Sequence, residues 1–138
     1  MTETDDNTDG ETYRLDIRVY YEDTDVSGIV YHANYLKFFE RAREHIIGPE
    51  TLERVLREDG VGYVVPELSM NFKLGARLGD ILEIRTTAQK TSAYRLVFDQ
   101  RAYRKRDDAL MVSAEIHLVC VDHDGRLLAI PDSLMPDM

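Results

Sequence analysis

The sequence has one cysteine, no tryptophan, four prolines and only four lysines in 138 residues. A lone Cys120 excludes an intramolecular disulfide and gives no sign of an oxidising compartment. No apolar run approaches the roughly 20 residues of a membrane-spanning helix. The first twelve residues have neither a basic stretch nor an apolar core, so no secretory leader is expected there. The expected compartment is the cytoplasm. Positive charge is scarce as well: 17 Lys and Arg face 26 Asp and Glu, a net charge of −9. Such a chain repels a phosphate backbone, which argues against nucleic acid as a partner.

What is present suits one folded domain. Hydrophobic residues make up 43% of the chain, too many for general disorder. The length is enough to bury a core without disulfide or metal staples. The charge is uneven: residues 1–12 carry five acids and no base, against 21 acids and 17 bases in the other 126. That acidic segment has no aliphatic or aromatic residue and is expected to be a disordered tail, with one domain over 13–138. Few lysines and many acids hint at a high-salt cytoplasm.

From Tyr13 the hydrophobic pattern has a period of two. Tyr13, Leu15, Ile17, Val19 and Tyr21 alternate with polar residues, the mark of a half-buried strand. After a loop from Glu22 to Val30 the period becomes helical from about His32. Tyr35, Phe38, Phe39, Ala42, Ile46 and Ile47 form one face, widened by Leu36, with Glu40 and Arg43 pairing on the wet side. Gly48-Pro49 breaks this helix. A shorter one follows over 50–59, with Leu52, Val55 and Leu56 inward and Gly60 as its stop.

The remainder reads as strands. Val61, Tyr63 and Val65 alternate on odd positions, then Leu68, Met70, Phe72 and Leu74 on even ones. The parity change at Pro66-Glu67 predicts a bulge or bent edge strand. Further strands run through Leu82 to Ala88, Tyr94 to Ala102 and Leu110 to Cys120, with a hairpin at Asp124-Gly125 leading to Leu127. A meander with one apolar face needs a cover, and the long helix is the large one available. The expected class is α+β, an antiparallel sheet around one helix. Its open edges favour pairing between copies.

The chemistry is densest between the first strand and the long helix, in Tyr20-Tyr21-Glu22-Asp23-Thr24-Asp25-Val26-Ser27-Gly28-Ile29-Val30-Tyr31-His32. A helix start presents open N–H groups and partial positive charge, able to stabilise an oxyanion. A loop carboxylate facing the same point could attack an activated acyl carbonyl or activate a water. The spacing Asp25, Gly28, Val30, His32, Tyr35 resembles the 4-hydroxybenzoyl-CoA thioesterase-like branch of the hotdog superfamily. Within it, the match is nearest to the acyl-CoA thioesterases associated with the Tol–Pal system. Residues 20–43 carry the resemblance, with weaker similarity to the C-terminus.

The resemblance implies a hotdog fold, homodimers or homotetramers with the site at a subunit interface, and hydrolysis of acyl-CoA with no metal or organic cofactor. The family's catalytic carboxylate falls on Asp25. Its polarising N–H falls around Tyr31 and His32, and its helper side chains on Tyr21 and His32. Gly28 and Val30 line the same motif. Val26-Ser27 departs from the smaller residues usual there and is expected to reshape the acyl pocket. Lys73 and Arg77, and Arg104 within the cluster Arg101, Arg104, Lys105, Arg106, are the candidates for the CoA phosphates. Glu22 and Asp23 read as hydrogen-bonding loop residues rather than a second acid.

Metal binding is not expected. Asp23-x-Asp25-x-Ser27-Gly28 imitates half a calcium loop, but the twelfth position is Asn34 where a bidentate Glu is needed. The four histidines show no zinc spacing. Two rivals remain open on the residues: a hotdog hydroxyacyl dehydratase, and a non-catalytic acyl-CoA-binding protein.

Overall fold

The structure, a computed structural model, describes residues 12–136. The acidic tail expected over 1–12 lies almost wholly outside the described residues. Strand β1, Tyr13–Arg18, is followed by a single 3-10 turn at Tyr21–Asp23 and helix α1, Asn34–Ile47. Helix α2 is Pro49–Asp59. Then come β2 (Gly62–Phe72), β3 (Ile81–Ser92), β4 (Arg95–Arg104), β5 (Ala109–Val121) and the two-residue β6 (Leu127–Leu128). The strands form one antiparallel sheet in the order β1-β3-β4-β5-β2, with β6 added to β5. The sheet wraps one face of α1. None of the described helices is long and apolar enough to cross a membrane.

The period-two segments became strands because their inward sets meet the helix. Leu82, Ile84 and Thr86 of β3, Leu96, Phe98, Gln100 and Ala102 of β4, and Ala114, Ile116 and Leu118 of β5 are all buried. Tyr35, Phe38, Phe39 and Ala42 of α1 close over them in one core. Each large apolar side chain removed from water in this way contributes about 1.5–3 kcal/mol.

Pro49 opens α2, where its missing N–H costs nothing. Gly60 ends it in the left-handed region at φ +67°, which a glycine adopts without strain.

Several expectations need correction. Arg43 is not on the wet side. Its guanidinium is buried and donates from Nη1 to Gln100 Oε1 at 2.9 Å, while exposed Glu40 stands 3.9 Å away. Leu36 and Leu56 face solvent, since the core is narrower than each helix's apolar stripe. Tyr21 is not an inward strand residue: β1 ends at Arg18 and Tyr21 is 82% exposed on the 3-10 turn. Tyr94 likewise lies in the β3–β4 turn.

The expected parity change in β2 is present, as a register shift between Val64 and Glu67. A second shift, between Ala102 and Tyr103, has no proline or glycine to announce it. It puts Met111 in the core and leaves Leu110 half-buried.

Candidate active site

The motif loop is built as a hairpin standing on the start of α1. Val19 ends the inward run of the first strand and is held by the turn before β3. It donates to the Asp80 carbonyl at 2.9 Å and accepts from the Gly79 N–H at 3.1 Å. The chain then makes its 3-10 turn, and Thr24 pairs antiparallel with Val30. Asp25 to Ile29 form the tip. The Asp25 N–H donates to Ile29 O at 2.8 Å, and Gly28 N–H to Asp25 O at 3.0 Å. Gly28 takes φ +82°, the conformation that turns the tip back. The Ser27 N–H donates to Asp25 Oδ1 at 2.8 Å, so one carboxylate oxygen is oriented by the loop itself.

A second segment braces the hairpin. The Val30 N–H donates to Ala76 O at 2.9 Å, and Ile29 bridges Arg77. The Ala76 N–H reaches the buried Tyr35 hydroxyl at 3.3 Å, tying the brace to the helix. Burial raises the Tyr35 pKa, so this hydroxyl stays neutral as a hydrogen-bonding post. Gly75 lets the brace approach Ile29 closely: a Cβ would lie 3.1 Å from Ile29 Cδ1 and Cγ2, so a larger residue would push that side chain aside.

The helix start differs from the expectation in one respect. The Tyr31 N–H is already committed to the Asp23 carbonyl at 2.8 Å. It cannot also serve a substrate. The first helical bonds run from Asn34 to Tyr31 O at 2.8 Å, from Tyr35 to His32 O at 3.4 Å and from Leu36 to Ala33 O at 3.1 Å. This leaves the N–H groups of His32 and Ala33 without a hydrogen-bond partner among the described residues. The open pair is therefore shifted one residue along the chain. Ala33 has no distinctive side chain, so nothing in the sequence could single it out.

The same surface carries aromatic rings. His32 contacts Tyr31 at 4.6 Å between centroids and Phe72 edge-on at 6.3 Å, and Phe72 in turn meets Tyr35 at 6.0 Å. Phe72 is half-exposed at the end of β2. Its alternation gave it away as a strand residue, not as part of the site. Tyr21, Val26 and Tyr31 are exposed on the same loop.

The expected phosphate-binding cluster is charge-matched. Arg101 pairs with Asp99 at 3.0 Å and Arg106 with Asp80 at 3.6 Å. Lys105 pairs with Asp16. Arg104 grips Asp107 with two bonds of 3.0 and 2.8 Å. That grip holds the Asp107 carboxyl down to about 2. Arg104 is thus neutralised at its own hairpin. Lys73 and Arg77 are exposed and have no carboxylate within salt-bridge distance among the described residues. The described residues hold no cluster of three or more His, Cys, Asp or Glu able to bind a metal ion.

An antiparallel sheet wrapped on one long helix, with a braced carboxylate hairpin leading into a helix start that keeps two open N–H groups, is the arrangement of a hotdog-type protein. The profile of the Thioesterase-like superfamily matches residues 19–137, and the chain belongs to that family. It is 40% identical over 111 residues to the acyl-CoA thioester hydrolase YbgC of Escherichia coli, covering 80% of this chain and 82% of the relative. The acyl-CoA thioesterase YbgC of Haemophilus influenzae is 38% identical over 113 residues, covering 80% and 81%. The crystal structure of a 1,4-dihydroxy-2-naphthoyl-CoA thioesterase from Synechocystis superposes with a TM-score of 0.82 at 25% identity. That match covers 89% of this chain and 92% of the other.

Proposed function

We propose that this protein hydrolyses acyl-CoA thioesters to the free acid and CoA. The observation that carries the reading is the open His32 and Ala33 N–H pair immediately after the Asp25 hairpin. The names of the relatives point to the same substrate class.

In this reading the thioester carbonyl oxygen sits against the His32 and Ala33 N–H groups, where charge develops in the tetrahedral intermediate. Losing one such donor typically costs about 2.7–4 kcal/mol of barrier. Asp25 acts in one of two ways. As general base it takes a proton from water as the water adds to the carbonyl; the C–S bond then breaks and the CoA thiolate leaves and is protonated. As nucleophile it adds to the carbonyl and expels the CoA thiolate, which is protonated, leaving an acyl-aspartyl anhydride that water hydrolyses to the free acid and the regenerated carboxylate. The Tyr21 and His32 side chains orient the thioester and handle the proton.

Gly28 lines the acyl path and Phe72 extends it as an apolar shelf, whereas Val30 drops out of the set because it is buried in the core behind the hairpin. Lys73 and Arg77 meet the CoA phosphates. Arg104 drops out of that set in favour of them, because its charge is already spent on Asp107. The working unit is a homodimer or homotetramer. Among the described residues β2 pairs on one side, with β5, and presents half-exposed Val64, Val65 and Leu68. One domain spans 13–138, and its setting is the cytoplasm.

The test is a thiol-release assay over short, long and aromatic acyl-CoAs, with Asp25→Asn in parallel. CoA release by the wild type, lowered about 100-fold or more in Asp25→Asn, is expected from loss of the base or nucleophile. Enoyl product from a hydroxyacyl-CoA without CoA release would mean a dehydratase. Binding of the whole panel without turnover would mean a non-catalytic acyl-CoA-binding protein.

A further inference from the structure

The proposed chemistry leaves one buried carboxylate unused. Asp23 is only 6% exposed. No Lys, Arg or His lies within salt-bridge distance of it among the described residues. A carboxylate removed from water without a counter-charge is costly, and an apolar or amide side chain would fill the space more cheaply. What Asp23 has instead is two neutral donors. Its Oδ2 accepts from the Tyr20 N–H at 2.8 Å and its Oδ1 from the Asn34 side-chain amide at 2.9 Å. Asn34 is the first residue of α1, whose partial positive end favours a negative charge.

The position explains why the charge is kept. Asp23 stands at the base of the Asp25 hairpin and ties its two stems together. Thr24, the next residue, pairs with Val30, and the Asp23 carbonyl takes the Tyr31 N–H at 2.8 Å. The side chain joins the end of the first strand to the start of α1, while the main chain joins the two stems. A rotation at this base would swing Asp25 at the tip against His32 on the helix. The Asp23 carbonyl also takes up the Tyr31 N–H, so that the donors left open at the helix start are those of His32 and Ala33.

We propose that Asp23 is a positioning residue for the reaction, setting the Asp25 hairpin against the His32 and Ala33 N–H groups through its bonds to Tyr20, Asn34 and Tyr31. The inference rests on the acyl-CoA hydrolysis proposed above. Asp23 itself touches no reacting atom.

The test reverses the polarity of one bond. Asp23→Asn places an amide N–H2 against the Asn34 amide and breaks the 2.9 Å contact. Asn34→Asp places two carboxylates at that distance, where both cannot ionise. The double variant Asp23→Asn/Asn34→Asp restores a donor and an acceptor in exchanged places. It also leaves the oxygen of the introduced amide for the Tyr20 N–H. Kinetics are read on an acyl-CoA that the wild type turns over, with far-UV melting of each variant.

The expected result is a kcat about 30-fold lower in each single variant, the size of loss that a misplaced catalytic group produces. KM should stay within about 2-fold, because ground-state binding is not what changes. The double variant should return to within about 3-fold of the wild-type kcat, a coupling that independent sites would not show. A single variant that is folded and keeps wild-type kcat overturns the proposal. So does a double variant that is folded but no faster than Asp23→Asn, or one that does not fold. Should Asp23→Asn itself not fold, the double variant alone decides. Asp25→Asn separates the two levels: if it retains wild-type kcat the hydrolysis reading fails. If it loses turnover while the Asp23–Asn34 cycle is flat, only the positioning role fails.

Discussion

The buried polar bridge between α1 and the sheet makes a quantitative prediction. Gln100 lies in the core with three bonds: it accepts from Arg43 Nη1 at 2.9 Å and donates from Nε2 to Phe39 O at 2.9 Å and to Thr86 Oγ1 at 3.0 Å. Burial lowers the Arg43 pKa, and exposed Glu40 offsets this only in part. Consider Gln100→Leu. Arg43 remains charged and loses its buried acceptor, a bond worth about 2 kcal/mol, and Thr86 loses a donor worth about 1 kcal/mol. The Phe39 carbonyl keeps its bond within the helix, so its loss is small. The total is about 3 kcal/mol.

Arg43→Leu removes the charge together with its desolvation cost and leaves one neutral acceptor unmet, for a net loss of about 1 kcal/mol. In the double variant the stranded charge and the unmet acceptor are both gone, and the Thr86 loss remains, so the cost should be about 1 kcal/mol rather than the roughly 4 kcal/mol of the two singles added. Urea unfolding of the four proteins at one pH measures the cycle. An Arg43→Leu variant that loses as much stability as Gln100→Leu, with additive effects, would refute the argument. It would mean that Arg43 contributes by packing and not through the cost of its buried charge.

Three further predictions concern the site and the core. Gly75→Ala should displace Ile29, which lies 3.1 Å from the new Cβ, and so disturb the hairpin brace. A kcat loss of about 10-fold is expected, and unchanged steady-state kinetics would show that the brace does not set the site. Arg77→Ala should raise KM for acyl-CoA more than Arg104→Ala, because Arg104 is held by Asp107 and Arg77 by no carboxylate among the described residues. The difference should shrink as salt is added, and an equal KM effect from both would contradict it. The pH dependence of stability should show Cys120. Burial pushes its thiol from 9.0 up to about 11, a rise that its hydrogen bond with Tyr63 only partly offsets. Above pH 9 the thiol of the unfolded chain ionises while the folded one stays protonated. This contribution is complete below pH 9 and is lost as pH rises toward about 11. A Cys120→Ala variant should lose less than the wild type between urea midpoints taken at about pH 8 and about pH 10.5, the shared remainder coming from the Tyr35 and Tyr63 hydroxyls, whose pKa values burial also raises. A wild type and variant that fall in parallel would assign the effect elsewhere.

How much of this was legible in the sequence follows from the range of each interaction. The β2 bulge was readable because Pro66-Glu67 breaks a local alternation. The Ala102–Tyr103 shift was not, since no residue there has a backbone constraint of its own. The helical stripe of α1 marked Phe38, Phe39 and Ala42 as core. It could not show that the sheet would also swallow Arg43, because the residue that receives it, Gln100, lies 57 positions away. The cluster Arg101 to Arg106 read as a free basic patch. Hairpin geometry put a carboxylate on each member.

The sequence by itself determined the class of fold and pointed to the loop proposed to carry the chemistry. Periods of two and 3.6 are properties of neighbouring residues, and the Asp25 to Tyr35 spacing lies within eleven consecutive positions. The tertiary structure alone decided which groups of that loop are still available. Tyr31 and His32 look equivalent as N–H donors along the chain, yet the Asp23 carbonyl consumes the first and leaves the second. Hydrogen-bond capacity is a count of partners in space, and the chain has to fold before that count exists.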